Sequence, residues 1–295
     1  MQDSTLNVAL SDPMLAAKTA ALESFVLGFR SAVVAFSGGV DSSLVAYVCG
    51  RLLGERAIAV TSGSASLKRS DLALTNALAT SWGLRHRVIE TRELESADYR
   101  ANPTNRCYFC KSTLFTALDA VAREESAEVV FSGTNVDDLG DHRPGLIAAA
   151  EHAVRAPLAE AGFTKSDIRA LAAHFELETA AKPQSACLAS RVPYGHAIDA
   201  GILAQIDAAE AVLDRHGFQQ CRVRHHDDVA RLEIPADDLA RALALRGPLV
   251  HDLKAVGYRH VALDLAGFRS GSMNDGLRPD QRISAVTVFD PDGTH

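Results

Sequence analysis

The sequence has few of the features that mark membrane, secreted or nucleic-acid-binding proteins. Its longest apolar stretches, such as residues 31–36 and 56–61, fall far short of the roughly 20 residues that a membrane span needs. The N-terminal residues lack a basic patch followed by an apolar core, so we expect no secretory signal and a cytoplasmic location. A net charge of −7 gives no general attraction to nucleic acid or to an anionic membrane.

Cysteine is also scarce, with five residues in a chain of 295. In a long intracellular chain this argues against a disulfide framework and for thiols that are buried, metal-binding or reactive. Hydrophobic residues make up 47% of the sequence, which is enough to bury a real core. At about 150 residues per domain, the length predicts two domains.

Strands and helices alternate along the first part of the chain, residues 1–195. A short buried strand is predicted at 31–36, and further strands at 57–60, 86–90 and 128–131. Helices are predicted at 15–30, 43–53, 67–82 and 111–123. This alternation predicts an α/β fold with a doubly wound parallel sheet, whose site lies at the carboxyl ends of the strands.

The pattern changes near residue 195, where we place the domain boundary. Residues 196–295 begin with a predicted helix at 199–216, followed by strands at 220–225 and 229–234. A helix at 237–245 and a strand at 259–265 complete a smaller α+β domain.

The segment Ser37-Gly-Gly-Val-Asp-Ser-Ser43 follows a predicted strand and opens a helix. Its two glycines allow close backbone approach, and the helix N–H groups with the three serine hydroxyls can cradle an anion. It is neither a Walker A loop nor a G-x-G-x-x-G loop. Asp41 beside phosphates implies a bridging Mg²⁺. The segment therefore predicts a phosphate-binding loop.

Two other strand ends face the same predicted crevice. Thr61 ends the second strand, and Gly133 and Thr134 follow the fourth. Since the carboxyl ends of parallel strands meet at one edge, these residues are candidates for holding a nucleotide. Ordinary turn chemistry is the alternative.

Cys107-Tyr-Phe-Cys110 places two thiols at a spacing that suits a metal, a cluster or a redox pair, and Arg106 and Lys111 can lower their pKa. Cys187 lies in another loop-like segment. Three cysteines suit a [4Fe–4S] cluster with one open iron, although four are the norm, and a zinc site lacks an obvious fourth ligand. Simple packing of these thiols is the alternative.

The loop at residues 37–42 resembles the signature of the pyrophosphatase-loop (PP-loop) ATP enzymes, which cleave ATP between the α and β phosphates. Five ordered segments together resemble the LarE family of ATP-dependent sulfur transferases, which make a nickel-pincer cofactor. These segments are SGGVDSS at 37–43, NRCYFCK at 105–111, GTNVDD at 133–138, CLASRVPYG at 187–195 and DLAGFRSGS at 264–272.

The resemblance implies a small-molecule substrate, pyridinium-3,5-biscarboxylic acid mononucleotide. MgATP would adenylate a carboxylate and release pyrophosphate, and sulfur would then displace AMP to leave a thiocarboxylate. A carboxylate needs this activation because its oxygen is otherwise a poor leaving group. The residues carried over to pyrophosphate binding are Ser37, Gly38, Gly39, Asp41, Ser42 and Ser43. Family members form homohexamers, so a homo-oligomer is expected.

The family divides by sulfur source. Some members sacrifice the cysteine at the position of Cys187, which becomes dehydroalanine. This sequence adds Cys107 and Cys110, so it is similar to the members in which three cysteines hold a [4Fe–4S] cluster bearing a replaceable sulfide. We therefore expect Cys187 to be a ligand in a site that turns over repeatedly.

Guanidinium groups are the expected partners of the substrate's anionic groups. Ser190 and Arg191 follow Cys187 and are expected to reach the reacting group. Arg222 and Arg224 alternate along a strand, so both should lie on one face, with Glu233 on the next strand. The resemblance assigns substrate-phosphate binding to the arginine pair, and an exposed strand face is the alternative. Phe268 and Arg269 match a family segment to which the sequence assigns no role.

Three alternative functions are compatible with parts of the sequence. A transfer-RNA thiolation enzyme would use the same loop, but a net charge of −7 gives it no support. An amidotransfer synthetase of the NAD or GMP type would leave all three cysteines unexplained. A nucleotide sensor with a structural metal is the non-enzymatic alternative.

Overall fold

The computed structural model describes Leu6, residues 10–140 and residues 144–269. Within these residues, the first part of the chain is built on a parallel four-stranded sheet of order β3-β2-β1-β4. The strands are β1 (Ala32–Ala35), β2 (Ala57–Ser62), β3 (His86–Ile89) and β4 (Val129–Phe131). The predicted α/β architecture is confirmed.

Helices cover both faces of this sheet, as its alternating apolar residues require. Ala32 and Val34 belong to the core on one face, and Val33 belongs to the core on the other. The helices are α1 (Pro13–Leu27), α2 (Val40–Leu53), α3 (Arg69–Ser81), α4 (Ala97–Arg100), α5 (Arg106–Glu124), α6 (Pro144–Glu151), α7 (Pro157–Glu160) and α8 (Lys165–His174).

The later part of the chain forms a second sheet. A long helix, α9 (Ala200–Arg215), leads into an antiparallel hairpin, β5 (Arg222–His226) and β6 (Val229–Glu233), and β7 (His260–Leu263) pairs parallel to β6. Two helices, α10 (Leu239–Ala244) and α11 (Arg246–Ala255), connect β6 to β7. This sheet has its own core, which includes Leu213, Phe218, Val223, Leu232 and Leu253.

A further buried cluster joins the two parts of the chain. Tyr99 from α4 packs with Leu188 and Val192 from the loop before α9, and with Leu203 and Ile206 from α9. The cluster contains residues from both sides of position 195, so the domain boundary stays a prediction.

One predicted helix boundary was wrong, and several helices were not predicted. Helix α5 begins at Arg106 rather than Lys111, so Cys107 and Cys110 lie in its first two turns and not in a loop. The helices not predicted are α4, α6, α7, α8 and α11. Helix α11 carries Pro248 in its first turn, where proline is tolerated. No helix among the described residues is long and apolar enough to cross a membrane.

Candidate functional site

The loop between β1 and α2 is closed by its own hydroxyl groups. The Oγ atoms of Ser37 and Ser42 lie 3.0 Å apart, and Ser42 Oγ donates to the Gly39 carbonyl at 3.2 Å. Gly38 adopts a φ of 72°, a left-handed conformation that favours glycine. Helix α2 begins at Val40 without a side-chain cap from any described residue, which leaves its first amides for a ligand.

Asp41 forms an ion pair that the sequence did not predict. Lys165 Nζ lies 2.6 Å from Asp41 Oδ1 and also contacts Oδ2. Asn135 Nδ2 donates to the same carboxylate at 3.3 Å. Lys165 is the first residue of α8, where Thr164 and Asp167 form a capping box that fixes the helix start. A metal ion at Asp41 must therefore compete with an ammonium group already in place.

A second lysine reaches the loop from a distant segment. Lys182 Nζ donates to the Gly38 carbonyl at 2.9 Å and to Asp71 Oδ1 at 2.8 Å. Ser185 Oγ donates to the other Asp71 oxygen at 2.6 Å, and Arg169 donates to the Lys182 carbonyl at 2.9 Å. These hydrogen bonds hold residues 182–185 against the loop at residues 37–43. No motif in the sequence pointed to Lys182.

The strand ends differ in what they offer a ligand. Gly133 lies against α2, and a Cβ there would stand 2.7 Å from the Ser42 amide nitrogen. Thr134 Oγ1 lies 3.1 Å from Ser132 Oγ. The expectation for the Thr61 side chain needs correction, because its hydroxyl is buried and donates to the Phe36 carbonyl at 2.7 Å. That hydroxyl is used inside the sheet.

The three candidate cysteines share one electrostatic environment. The residues Cys107 and Cys187 are exposed, and Cys110 is half-buried. Desolvation by the surrounding protein is the larger cause that raises the pKa of Cys107, and the negative charge of Cys187 is the next. The same two causes raise the pKa of Cys110 to about 12. As expected, Arg106 and Lys111 act to lower the pKa of Cys107, and Lys111 acts to lower that of Cys110, but desolvation and the neighbouring thiolate outweigh them.

No group of three or more histidine, cysteine or acidic side chains among the described residues is arranged to hold a single metal ion. An iron–sulfur cluster makes a different demand, because each cysteine binds its own iron and the sulfurs need not converge on one point. Cys107 and Cys110 lie in α5, and Arg106 of the same helix donates to the Ala189 carbonyl two residues after Cys187, so the fold brings together a donor set of this kind.

Two buried polar residues adjoin the cysteines. The Tyr99 hydroxyl lies 2.5 Å from Ser66 Oγ, and burial followed by the charges of Cys187 and Cys110 raises its pKa. Glu93 accepts a hydrogen bond from Thr91 Oγ1 at 2.9 Å through one oxygen, and its other oxygen has no partner among the described residues. Neither residue belongs to a sequence motif.

Arg191 shapes the Cys187 loop from within the protein. Its side chain is fully buried and bonds Glu210 at 2.7 and 3.0 Å, while Nη1 donates to the carbonyls of Ala186 and Cys187 at 2.9 and 3.1 Å. Ser190 Oγ also donates to the Cys187 carbonyl, at 2.7 Å. The expectation that Arg191 reaches the reacting group needs correction, because its donors are used to hold this backbone.

The two strand arginines reach the same segment. Arg224 Nη1 donates to the Ser190 carbonyl at 2.6 Å, and its other terminal nitrogen lies 2.9 Å from Glu233. Arg222 donates to the Gln184 carbonyl at 3.2 Å. Both guanidinium groups therefore lie beside residues 184–190, as expected for one strand face. Arg224 is only 5% exposed, which argues against a solvated face.

Phe268 gains a structural role that the sequence did not supply. Its ring centroid lies 4.9 Å from the guanidinium carbon of Arg222, so the turn after β7 covers this arginine. Burial lowers the pKa of Arg222 to about 10. The last part of the family segment, residues 270–272, lies outside the described residues.

Comparison with known proteins adds relatives of known and unknown activity. Residues 16–111 match the NAD synthase family. An uncharacterized protein of Synechocystis sp. is 40% identical over 88% of this chain and 98% of its own length. The pyridinium-3,5-bisthiocarboxylic acid mononucleotide synthase of Lactiplantibacillus plantarum is 35% identical over 90% of this chain and 97% of its own. A tRNA-specific 2-thiouridylase of Xanthobacter autotrophicus is 35% identical over 52% of this chain and 49% of its own.

Proposed function

The chain belongs to the LarE family of pyridinium-3,5-bisthiocarboxylic acid mononucleotide synthases, and from that premise we propose its reaction and the roles of its residues. The protein is an ATP-dependent sulfur transferase that converts the carboxylates of pyridinium-3,5-biscarboxylic acid mononucleotide to thiocarboxylates. The observation that carries this proposal is the path of one short segment. Lys182 Nζ donates to the Gly38 carbonyl of the loop at residues 37–43. Cys187 follows five residues later, in the segment whose Ala189 carbonyl accepts from Arg106, the residue before Cys107.

The activation step falls to the loop at residues 37–43. A substrate carboxylate oxygen attacks the α-phosphorus of ATP, and pyrophosphate leaves with the electron pair of the broken P–O bond. The first amides of α2 and the serine hydroxyls bind the leaving pyrophosphate, and Lys182 and Lys165 offset its charge. Mg²⁺ is commonly bound through one or two carboxylates and substrate phosphates, and Asp41 offers such a carboxylate.

The transfer step takes place at Cys107, Cys110 and Cys187, to which we assign a [4Fe–4S] cluster. When bound, such a cluster supplies a sulfide as the nucleophile that displaces AMP from the activated carbonyl. Ser190 and Arg191 fix the backbone at Cys187, and Arg222 and Arg224 bind the substrate phosphate with Glu233 orienting Arg224. Direct sacrifice of Cys187 requires one thiol and leaves Cys107 and Cys110 without a role.

The test is iron and acid-labile sulfide per chain after anaerobic purification. We expect several irons in the native protein and in Cys49→Ala, whose cysteine is buried in the core of the first sheet. We expect a severe loss of iron in Cys107→Ala. A folded, anaerobically reconstituted native protein without iron, with hydrogen sulfide lost from Cys187 after turnover, would overturn the cluster assignment in favour of a sacrificial cysteine.

Assembly, location and partners complete the proposal. We propose a cytoplasmic homo-oligomer, a hexamer by family resemblance, that binds a small molecule and neither nucleic acid nor membrane. Sedimentation equilibrium checks the assembly against the chain mass of 31.4 kDa. A mass equal to one chain at working concentration would reject it.

The alternative functions have less support. The match to the NAD synthase family ends at residue 111 and so does not include Cys187. The tRNA thiouridylase relative is matched over about half of each chain. Neither accounts for the combination of loop, three cysteines and paired strand arginines.

A further inference from the structure

Two segments that carry the cysteines are joined by residues to which the reaction assigns no role. Asn102 lies in the turn between α4 and α5 and is completely buried. Its Nδ2 donates to the carbonyls of Pro193 and Val192 at 2.8 and 3.3 Å. The backbone carbonyl of Asn102 accepts a hydrogen bond from the Gly195 amide at 2.9 Å. One side chain and one peptide group thus connect the start of α5 to the segment after Cys187.

Arg106 adds a second connection at the same place. It is 3% exposed, and Nη1 donates both to Asn102 Oδ1 and, at 3.1 Å, to the Ala189 carbonyl. Its guanidinium carbon lies 5.6 Å from the ring centroid of Tyr194. A buried guanidinium needs partners for its donors, and here part of that need is met by the segment that carries Cys187.

The backbone at Asn102 indicates that this geometry is specified. Its φ is 52°, in the left-handed region that asparagine tolerates better than most residues but that still costs about 1 kcal/mol. The residue in this left-handed conformation is the one whose side-chain amide donates to the Pro193 carbonyl and whose backbone carbonyl accepts from the Gly195 amide. Such a conformation persists where surrounding contacts determine it, as they do here.

The connected atoms lie directly beside the thiols. Arg106 immediately precedes Cys107, and Ala189 follows Cys187 by two residues. Every bond in the connection is made by the chain itself. Contacts of this kind hold a site in its working geometry before a ligand arrives, which lowers the conformational entropy lost on binding.

We propose that Asn102 and Arg106 form a clasp that holds Cys187 beside Cys107 and Cys110 in the apoprotein, so that the sulfur site is assembled before any cluster binds. Both are positioning residues, acting through the backbone of residues 189–195. The inference rests on the proposed function to the extent that the three cysteines act together.

The test uses metal-free, reduced full-length protein and dibromobimane, a short reagent that joins two nearby thiols. Peptide mapping measures the yield of cross-links from Cys187 to Cys107 or Cys110. We expect a high yield in the native protein. The yield should fall about tenfold in Asn102→Gly, since a buried hydrogen bond is worth about that factor. Glycine is chosen because it tolerates the left-handed backbone but lacks the side-chain amide. Arg106→Lys, which keeps the charge but loses the fork, should behave similarly.

Two further variants separate positioning from general loss of stability. Arg87→Lys alters an exposed ion pair with Glu124 and should cross-link like the native protein. Asn102→Asp keeps the acceptor for Arg106 but turns an acceptor-only carboxylate oxygen toward the Pro193 and Val192 carbonyls, so it should lose cross-linking as Asn102→Gly does. Melting temperatures are measured for every variant. Native-like cross-linking in folded Asn102→Gly and Arg106→Lys would overturn the clasp.

The clasp and the cluster can fail separately. A folded native apoprotein that forms no cross-link would reject the clasp whatever its iron content after reconstitution. Efficient cross-linking in a protein that takes up no iron would reject the cluster and leave the clasp standing. Reduced cross-linking in both clasp variants, with slower iron uptake, is the expected result.

Discussion

Two lysines that no sequence motif predicts form ion pairs with carboxylates at the loop of residues 37–43. Lys165 pairs with Asp41, and Lys182 pairs with Asp71, which also accepts from Ser185. Both pairs are partly buried, so screening by water is incomplete. Each lysine charge at the loop is therefore balanced by an aspartate. When a polyphosphate binds with its metal ion, the phosphates can pair with the lysines and the metal ion with the aspartates.

For Lys165→Met, we expect the rate of ATP-dependent pyrophosphate release to fall by about 10²-fold, the effect of removing one charge-stabilising donor. The reason is an exchange of partners: Asp41 turns to the metal ion, and the freed ammonium group binds the phosphates. Pyrophosphate release at saturating mononucleotide measures the effect.

Lys18→Met is the matched control for this substitution. Lys18 lies in α1, and its Nζ is 2.6 Å from Oδ2 of Asp167, which belongs to the same helix as Lys165. Its rate should stay near the native one. Equal losses in both variants would trace the effect to the folding of α8 and contradict the exchange.

At the scale of helices and strands, the parts that could be predicted are those governed by local pattern. Strands β1 to β4 are short apolar runs with turn signals between them, and each was predicted close to its observed position. The start of α5 was missed although Asn105 is of a residue type that favours the N-cap position; in the structure its side chain forms no cap hydrogen bond.

The missed site residues come from contacts that no local pattern encodes. Lys165 is 124 residues from Asp41 in the chain, and Lys182 is 144 residues from Gly38. Arg191 was assigned to the substrate because arginines commonly bind carboxylates, but Glu210 in α9 takes its guanidinium group instead. Spacing could place the loop and the cysteines, whereas only tertiary packing decides which charges meet them.

The end of β4 approaches the start of α2 so closely that only glycine fits at position 133. A Cβ there would lie 2.7 Å from the nitrogen and 2.9 Å from the Cα of Ser42, and neither backbone atom can rotate away. We expect Gly133→Ala to separate these elements and to weaken ATP binding by about tenfold, since overpacking costs roughly 1–3 kcal/mol. Isothermal titration with ATP and Mg²⁺ measures the change.

Gly247→Ala provides the comparison for this steric effect. A Cβ at Gly247 would meet nothing within 4 Å, and the residue lies in helix α11. Alanine should leave ATP affinity unchanged and stabilise the helix slightly. If Gly133→Ala binds ATP as the native protein does, the close approach has no part in forming the nucleotide site.

At the scale of the whole molecule, one buried carboxylate connects the two sheets. Glu210 in α9 is 1% exposed and bonds Arg191, the Val223 amide of β5 at 3.1 Å, and Lys68 just before α3. Burial raises the pKa of Glu210, but Arg191 and then Lys68 outweigh it and lower that pKa from 4.5 to about 2. The ionised carboxylate therefore stabilises the arrangement of both parts of the chain.

We expect Glu210→Gln to lower the free energy of unfolding at pH 7 by about 3–5 kcal/mol, because the buried Arg191 loses its counter-charge. A lowered folded-state pKa stabilises the protein above the unfolded value, and that contribution is lost as pH falls. The difference between native and variant protein should be full above pH 4.5 and shrink from there toward about pH 2. Urea unfolding from pH 7 to pH 3 measures it.

Glu124→Gln separates this effect from the loss of any surface charge. Glu124 pairs with Arg87 where both side chains are largely open to water, so its removal should cost less than about 1 kcal/mol at any pH. A Glu210→Gln variant as stable as Glu124→Gln would mean that the two sheets are joined by apolar packing alone. A gap that stays constant below pH 4.5 would show that the stabilisation does not depend on the charge of Glu210.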